Sequence, residues 1–174
     1  MRVLFLFLLI ANVSIGQNNA ETEKSVFSIN NYVTSVDNLT LDAALEINKR
    51  VTKTAALLDK KISISLLDAS GTIILTTRAD GVGPHNTEAA RRKAYTALST
   101  KTATLTLLRN AEKNPDTKNL NTLPELLLLS GGTPIWYKGN IIGSIGVAGG
   151  GSPENDDLIA KSAAITEIGI TTAK

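Results

Sequence analysis

The chain has 174 residues, of which 18 are basic and 16 acidic, with one histidine and no cysteine. The net charge of +2 argues against nucleic-acid binding, because nucleic-acid-binding proteins usually carry many basic residues, concentrated on one surface. The lack of cysteine excludes disulfides and thiol chemistry, and a single histidine excludes a zinc site built from several histidines and cysteines of one subunit.

The first sixteen residues have the pattern of a secretory signal peptide. Arg2 gives a positive start, residues 3–13 are almost continuously apolar, and small residues precede a cleavage position after Gly16. The apolar run is shorter than the about 20 residues that span a bilayer, so we expect no transmembrane segment after cleavage. We therefore expect a secreted or periplasmic protein, with residues 17–38 as a polar N-terminal arm and residues 39–174 as one domain.

The first element of that domain is predicted to be an amphipathic helix of four or five turns. Thr40 has a side chain typical of a helix N-cap, and Asp42 suits the first turn. The predicted inward face, read from the helical spacing, carries Leu41, Leu45, Asn48, Val51, Ala55 and Leu58.

Two strands and a second helix are predicted next. Alternation with a period of two indicates a half-buried strand over 62–66, and a turn ending in Gly71 leads to a partner strand over 72–78. A loop rich in glycine and proline precedes the second helix, which we expect Asn86 or Thr87 to cap and Lys101 to end. Its face of small residues can lie close to a sheet: Ala89, Ala90, Ala94, Ala97 and Leu98.

The second half of the chain is predicted to supply three more strands and two helices. The expected elements are a short helix over 104–112, an irregular stretch over 114–124, a buried strand over 126–129, a hairpin with strands over 135–137 and 141–148, and a last helix that runs to Ile168. Ser152 is the expected N-cap of this last helix, and Asp156 and Asp157 complement the positive end of its dipole. Strands joined by tight turns are antiparallel. The fold class is therefore α+β, with a five-stranded antiparallel sheet packed between helices.

Glycines interrupt the strand over 141–148. Gly143 and Gly146 lie within it, and three more glycines follow directly. Glycine weakens a strand unless another backbone or a ligand must come close. Two interpretations stay open: a planar ligand or a second subunit contacts this surface, or a helix of the same chain packs tightly on it.

One histidine and three tyrosines are candidate ligands for an iron centre. A neutral imidazole nitrogen suits haem iron, so His85 is a candidate axial ligand, with a plain solvent-exposed loop residue as the alternative. Tyrosinate also binds haem iron, which adds Tyr95, Tyr137 and Tyr32. For Tyr95, on the inner side of the second helix, core packing is the favoured interpretation.

Charged residues provide the remaining candidates. Ligand carboxylates such as haem propionates are expected to pair with basic groups, and the candidates are Arg78, Arg91, Arg92 and Lys93. Asp68 and Asp80, together with Arg78, would be the polar groups of an enzyme pocket, although Asp68 is more simply a turn residue.

An ordered set of motifs resembles the GlcG/HbpS-type haem-binding family, also described as haem-degrading-domain-like. The motifs are residues 67–71 (LDASG), 78–81 (RADG), 93–97 (KAYTA), 131–135 (GGTPI), 139–150 (GNIIGSIGVAGG) and the pair Asp156 and Asp157. The resemblance spans about residues 40–168. It implies a profilin-like fold, a haem ligand and a symmetric homo-oligomer based on dimers, octamers included.

The resemblance implies a secreted haem-binding protein that sequesters, delivers or senses haem and has no established catalytic activity. Two alternatives stay open: an enzyme or auxiliary protein acting on a small hydroxy acid, a corrinoid or haem, and an oligomeric signalling module. The resemblance identifies no axial ligand, so His85 is proposed as the axial ligand only because imidazole suits haem iron. The predicted haem-binding residues are His85, Tyr95, Arg78, Asp80, Arg91, Gly143 and Gly146.

Overall fold

A five-stranded antiparallel sheet with helices on both faces forms the part of the chain that the computed structural model describes, residues 32–174. This confirms the predicted α+β class. The signal peptide predicted over residues 1–16, and most of the predicted arm, lie outside the described residues. The elements are α1 (Leu41–Leu57), β1 (Ser63–Asp68), β2 (Ile73–Arg78), α2 (His85–Thr100), α3 (Thr104–Lys113), α4 (Pro115–Lys118), β3 (Gly132–Tyr137), β4 (Asn140–Ala148), α5 (Pro153–Lys161) and β5 (Ile170–Thr171).

The sheet has the strand order β2-β1-β4-β3-β5. A two-residue turn joins β3 to β4, where Lys138 and Gly139 both have positive φ, 48° and 80°. This is the geometry of the tight hairpin predicted from the sequence. β1 lies inside the sheet and is buried on both faces, so its predicted half-exposure was wrong. Its serines are covered by a helix rather than by water.

Helix α1 begins as predicted, and its predicted inward face is confirmed at Val51 and Ala55 but not at Leu41 and Leu45. The Thr40 side chain accepts a hydrogen bond from the Ala43 amide at 3.2 Å and so caps the helix. Leu41 and Leu45 remain 54% and 50% exposed, because the helix turns the side that carries Ala44 and Ile47 toward the core. The residues of α1 that are buried are Ala44, Ile47, Val51 and Ala55.

Helix α2 packs on the opposite face of the sheet at very short range. It begins at His85 after Pro84, without a side-chain cap, so the predicted cap by Asn86 or Thr87 was wrong. Ala90, Ala94 and Ala97 are fully buried. A β-carbon placed on Gly146 of β4 would lie 2.7 Å from the Ala94 nitrogen and 2.9 Å from the Ala90 carbonyl carbon. The glycine in β4 therefore admits the backbone of α2.

The fifth strand is not the predicted one. Leu126 and Leu128 are buried as expected, but residues 126–129 form no strand. Their backbone is instead held beside α2, where the Leu127 amide donates to the Thr96 hydroxyl at 2.8 Å. The sheet edge next to β3 is taken by β5, which the sequence pattern did not indicate.

Two further boundaries differ from the predictions. The stretch over 114–124, expected to be irregular, contains α4 and a 3-10 turn, Asn119–Thr122. Helix α5 ends at Lys161 and not at Ile168, because the chain then turns so that Ile165 and Ile170 form a bridge. Helix α3 matches its prediction.

Candidate functional site

A cavity with polar and apolar walls lies where the first turns of α2 and α5 approach the end of β4 and the segment before β3. Its volume is 350 Å³, at the lower end of the range for small-molecule pockets. Because both helices begin here, their positive dipole ends lie near the cavity. The polar groups and glycines in its wall include Asn86, Lys93, Ser130, Gly149, Ser152 and Asp156.

A buried ion pair forms one wall of this cavity. The Lys93 ammonium donates to Asp156 Oδ2 at 2.7 Å and to the Val147 carbonyl at 2.9 Å. The other carboxylate oxygen of Asp156 accepts the Gly150 amide at 2.7 Å. The side chains of Lys93 and Asp156 are only 5% and 12% exposed. Charges at this depth must be paired, since an unpaired one costs several kcal/mol.

Glycines make room for the ion pair. Gly131 has a φ of 107°, and a β-carbon there would lie 2.8 Å from Asp156 Cβ and 3.4 Å from Lys93 Nζ. A β-carbon on Gly150 would lie 2.7 Å from Asp156 Oδ1. Gly131 therefore needs glycine because of its positive φ and because the Val147 carbonyl and Asp156 Cβ occupy the space beside it, and Gly150 needs it because of the Asp156 carboxylate.

The sequence motifs that carry the family resemblance meet at this cavity. Lys93 comes from the KAYTA motif, Gly131 from GGTPI and Asp156 from the acidic pair. Sequence reasoning treated Lys93 only as a possible partner of ligand carboxylates and Asp156 only as a helix-start residue. A usable signal was present, since Lys93 interrupts the alanine face of α2 that packs on the sheet.

Arg78, Asp80 and His85 come from one stretch of chain, between the end of β2 and the start of α2. Arg78 Nη1 donates to the Val82 carbonyl at 3.0 Å and braces the loop after β2. Asp80 is exposed in this loop, and His85 is exposed as the first residue of α2. The imidazole of His85 is thus accessible to solvent, and the loop that precedes it is held by Arg78.

Tyr95 and Gly143 lie away from His85. Tyr95 is half-buried, and a β-carbon on Gly71 would lie 3.5 Å from its ring. Ten residues of α2, about 15 Å of helix, separate it from His85. Gly143 is paired with Asp68 and lies against the Leu39 side chain. Like Gly146 beneath α2, it is covered by the protein's own residues, so the helix-packing interpretation of these two glycines accounts for them.

Arg91 and Arg92, which are adjacent in α2, form ion pairs and hydrogen bonds with other residues of the protein. Arg91 Nη2 lies 2.8 Å from both Glu88 Oε1 and Glu125 Oε2. The hydrogen bond to Glu88, then that to Glu125, raises the pKa of Arg91 against the opposing effect of burial. Arg92 donates to the Pro124 and Leu126 carbonyls, each at 2.8 Å. Both arginines fasten the segment before β3 to α2.

Asp68 is a turn residue. Its Oδ1 accepts hydrogen bonds from the Ser70 amide and hydroxyl, at 2.9 and 2.6 Å, and from the Thr72 amide at 2.9 Å. Partial burial raises the pKa of Asp68, but these hydrogen bonds outweigh it and hold the pKa below its ordinary value. Asp68 is therefore a stable carboxylate that shapes the hairpin between β1 and β2.

The other tyrosines are placed differently. Tyr32 is exposed, and Tyr137 is half-buried beside a cavity of 310 Å³ that it shares with Ile142 and Ile168. Among residues 32–174, no three His, Cys, Asp or Glu side chains are grouped to hold a metal ion. In the same range no helix has the length and hydropathy needed to cross a membrane.

The fold and the motifs place the chain in a defined family. A family model described as haem degrading protein HbpS-like matches residues 39–165. The chain therefore belongs to the HbpS-like family.

Two solved structures are similar over most of the domain. A double mutant of HbpS from Streptomyces reticuli has 33% sequence identity and a TM-score of 0.70, covering 76% of this chain and 88% of that one. A complex of PduOC with haem has 28% identity and a TM-score of 0.68, covering 79% of this chain and 99% of that one.

A curated relative shows the same domain within a longer protein. The corrinoid adenosyltransferase PduO of Citrobacter freundii is 33% identical over 113 residues, which is 64% of this chain and 33% of PduO. The chain thus spans about a third of the length of that relative.

Proposed function

We propose that this protein binds haem. The observation that carries the proposal is the similarity to PduOC, whose structure contains haem and which matches over 99% of its length with a TM-score of 0.68. Membership of the HbpS-like family supports the same ligand. Sequestration, delivery or sensing of haem outside the cytoplasm is the role that we propose with it.

The haem would lie on the outside of the subunit. The surface of β4 at Gly146 is covered by the backbone of α2, so there is no room for a planar ligand between this helix and the sheet. His85 is the single histidine of the chain and is exposed at the start of α2. A neutral imidazole nitrogen is a common axial ligand of haem iron, and we propose His85 for that role.

Cationic side chains near the end of β2 suit the propionates of haem. A cavity of 370 Å³ is lined by Arg78, Lys60 and Lys61, together with apolar residues such as Ile62. Arg78 also contacts the loop that leads to His85. Carboxylates bind well to such groups. The cavity lies on the α1 side of the sheet, so it would take a propionate and not the porphyrin ring.

Haemin titration of the purified haem-free protein tests the proposal. We expect a saturable Soret shift, and we expect His85→Ala to weaken binding at least about tenfold, since removing even a supporting partner of a metal ligand has that effect. Tyr95→Phe is the matched control, because Tyr95 lies far along α2 and should leave the titration unchanged. The absence of a saturable shift would exclude haem as a ligand. If His85→Ala left haem binding unchanged, His85 would not be the axial ligand of the iron.

We also propose that the protein is exported and self-associates. The leader pattern of residues 1–16 supports export. The edge strand β2 supports association of two copies, since its outer backbone groups are unpaired in the sheet and exposed Leu41, Leu45 and Ile73 occur on α1 and β2. N-terminal sequencing of the exported protein, and its mass by light scattering, test these points. An uncleaved leader or a monomer at micromolar concentration would contradict them.

Haem degradation is a second candidate, which the description of the matching family favours. Loss of the Soret band of the haem complex in the presence of ascorbate, faster than for free haemin, would support it. The match to PduO supports no corrinoid chemistry here, because about two thirds of PduO lies outside it.

A further inference from the structure

The cavity beside Lys93 has an unused hydrogen-bond donor on its wall. An ammonium carries three N–H donors, and within residues 32–174 Lys93 uses two of them, for Val147 and Asp156. The third has no protein acceptor in that range. Lys93 is 4% exposed overall and lines the 350 Å³ cavity, so a ligand atom in the cavity is positioned to accept it.

Neighbouring groups in the wall also have donors to spare. The Ser152 hydroxyl accepts from the Asn155 amide at 3.1 Å, which leaves its own hydrogen free to donate. The Asn86 side chain makes no hydrogen bond within the described residues, so both of its amide hydrogens are available. Ser130 is already used, since its hydroxyl donates to the Pro153 carbonyl. The free groups of the cavity are thus mainly donors.

The acidic side chains at the start of α5 do not exclude an anionic ligand, because Arg109 pairs with Glu154 and Lys161 pairs with Asp157. Asp156 neutralises Lys93, and both of its oxygens are occupied, one by Lys93 and one by the Gly150 amide. The N-terminal ends of α2 and α5 add positive partial charge. Carboxylate and phosphate oxygens accept several hydrogen bonds at once and suit a wall of donors.

We propose that this cavity is a second ligand site, which binds a small carboxylate or phosphate compound through Lys93, Asn86 and Ser152, with Asp156 positioning the ammonium. The proposal is independent of haem. Haem is too large for a cavity of 350 Å³, and His85 is not part of its lining.

Asn86→Asp is the decisive variant. It keeps the shape of the side chain and places a negative charge in the first turn of α2, where the helix dipole favours it, so the fold should be retained. The same charge would repel an anion in the cavity and weaken its binding at least about tenfold. Asn119→Asp makes the identical change at an exposed residue outside the cavity and serves as the matched control.

The experiment titrates the haem-free protein with sodium phosphate and, separately, sodium acetate at constant ionic strength, followed by amide chemical shifts. We expect saturable shifts at Lys93, Gly150 and Ser152 with at least one probe, lost in Asn86→Asp and retained in Asn119→Asp. The probe that binds more tightly identifies the source of the oxyanion. The proposal would be overturned if neither probe gave saturable shifts, or if Asn86→Asp bound the probe as tightly as the wild type.

Discussion

The two faces of the sheet are covered by helices in opposite ways. On the face toward α1 and α5, large aliphatic side chains meet in a continuous core. On the face toward α2, the sheet presents serine and glycine, and the helix presents alanine. The aliphatic core includes Ile47, Val51, Ile64, Leu66, Ile145, Val147 and Ile159. The small-residue face includes Ser63, Ser65, Gly132, Ser144, Gly146, Ala90, Ala94 and Ala97.

The difference shows that one sheet can be stabilised by two kinds of packing. The aliphatic face gains free energy by removing large apolar area from water. The small-residue face buries less area for each side chain and depends on backbone atoms approaching each other closely. Within residues 32–174 one ion pair is buried on both sides, and it links Lys93 of α2 on the second face to Asp156 of α5 on the first. The cavity beside this ion pair therefore lies at the margin where the two kinds of packing meet.

The largest effect is expected from breaking the ion pair of that face. Lys93→Met would leave Asp156 buried without its cation and lower the free energy of unfolding by about 3–5 kcal/mol. The double variant Lys93→Met with Asp156→Leu should recover much of this loss, because no orphan charge remains. Arg109→Met, which removes exposed pairs with Glu112 and Glu154, should change little. Urea unfolding followed by circular dichroism measures all three, and equal losses for the single and double variants would contradict the argument.

Neighbouring residues of β4 allow a direct comparison of the two faces. Gly146→Ala adds one carbon against the backbone of α2 and should cost about 3 kcal/mol, the upper end for overpacking. Ile145→Val removes one carbon from the fully buried aliphatic face and should cost about 1 kcal/mol. The same unfolding experiment compares them. A smaller loss for the glycine variant would show that α2 can shift away from the sheet.

A glycine elsewhere provides the control for backbone strain. Gly81 has a φ of 82°, and a β-carbon at this position would meet nothing within 4 Å, so Gly81→Ala tests the cost of positive φ alone. We expect about 1 kcal/mol. If Gly81→Ala cost as much as Gly146→Ala, the steric explanation for Gly146 would fail.

Local features of the fold were predictable because a few adjacent residues determine them. Thr40 and Ser152 were both identified as helix caps, and each accepts the expected backbone hydrogen bond. The hairpin between β3 and β4 follows from the residues of its turn. The alanines of α2 predicted a close approach to a sheet, which Gly146 confirms from the other side.

Features that depend on competition between distant segments were not predictable in the same way. Residues 126–129 have the apolar character of a buried strand, but their sequence does not reveal that β5 occupies the sheet edge. Likewise, α1 has two overlapping apolar faces, one with Leu41 and Leu45 and one with Ala44. Which of them is buried depends on how the helix packs against the sheet. The two partners of the ion pair, 63 residues apart, were each assigned a local role for the same reason.

The smallest effect is expected at an exposed turn, in contrast to the buried ion pair. The folded pKa of Asp68 lies below its ordinary value of 3.8, so its carboxylate stabilises the fold above that pH and loses this contribution as the pH falls through the folded pKa. Asp68→Asn should therefore cost about 1 kcal/mol near neutral pH, and the difference from the wild type should shrink below about pH 4. Urea unfolding across that range measures it. A difference that stays constant with pH would mean that the turn needs the shape of Asp68 and not its charge, unlike the ion pair beside α2, whose effect depends on charge.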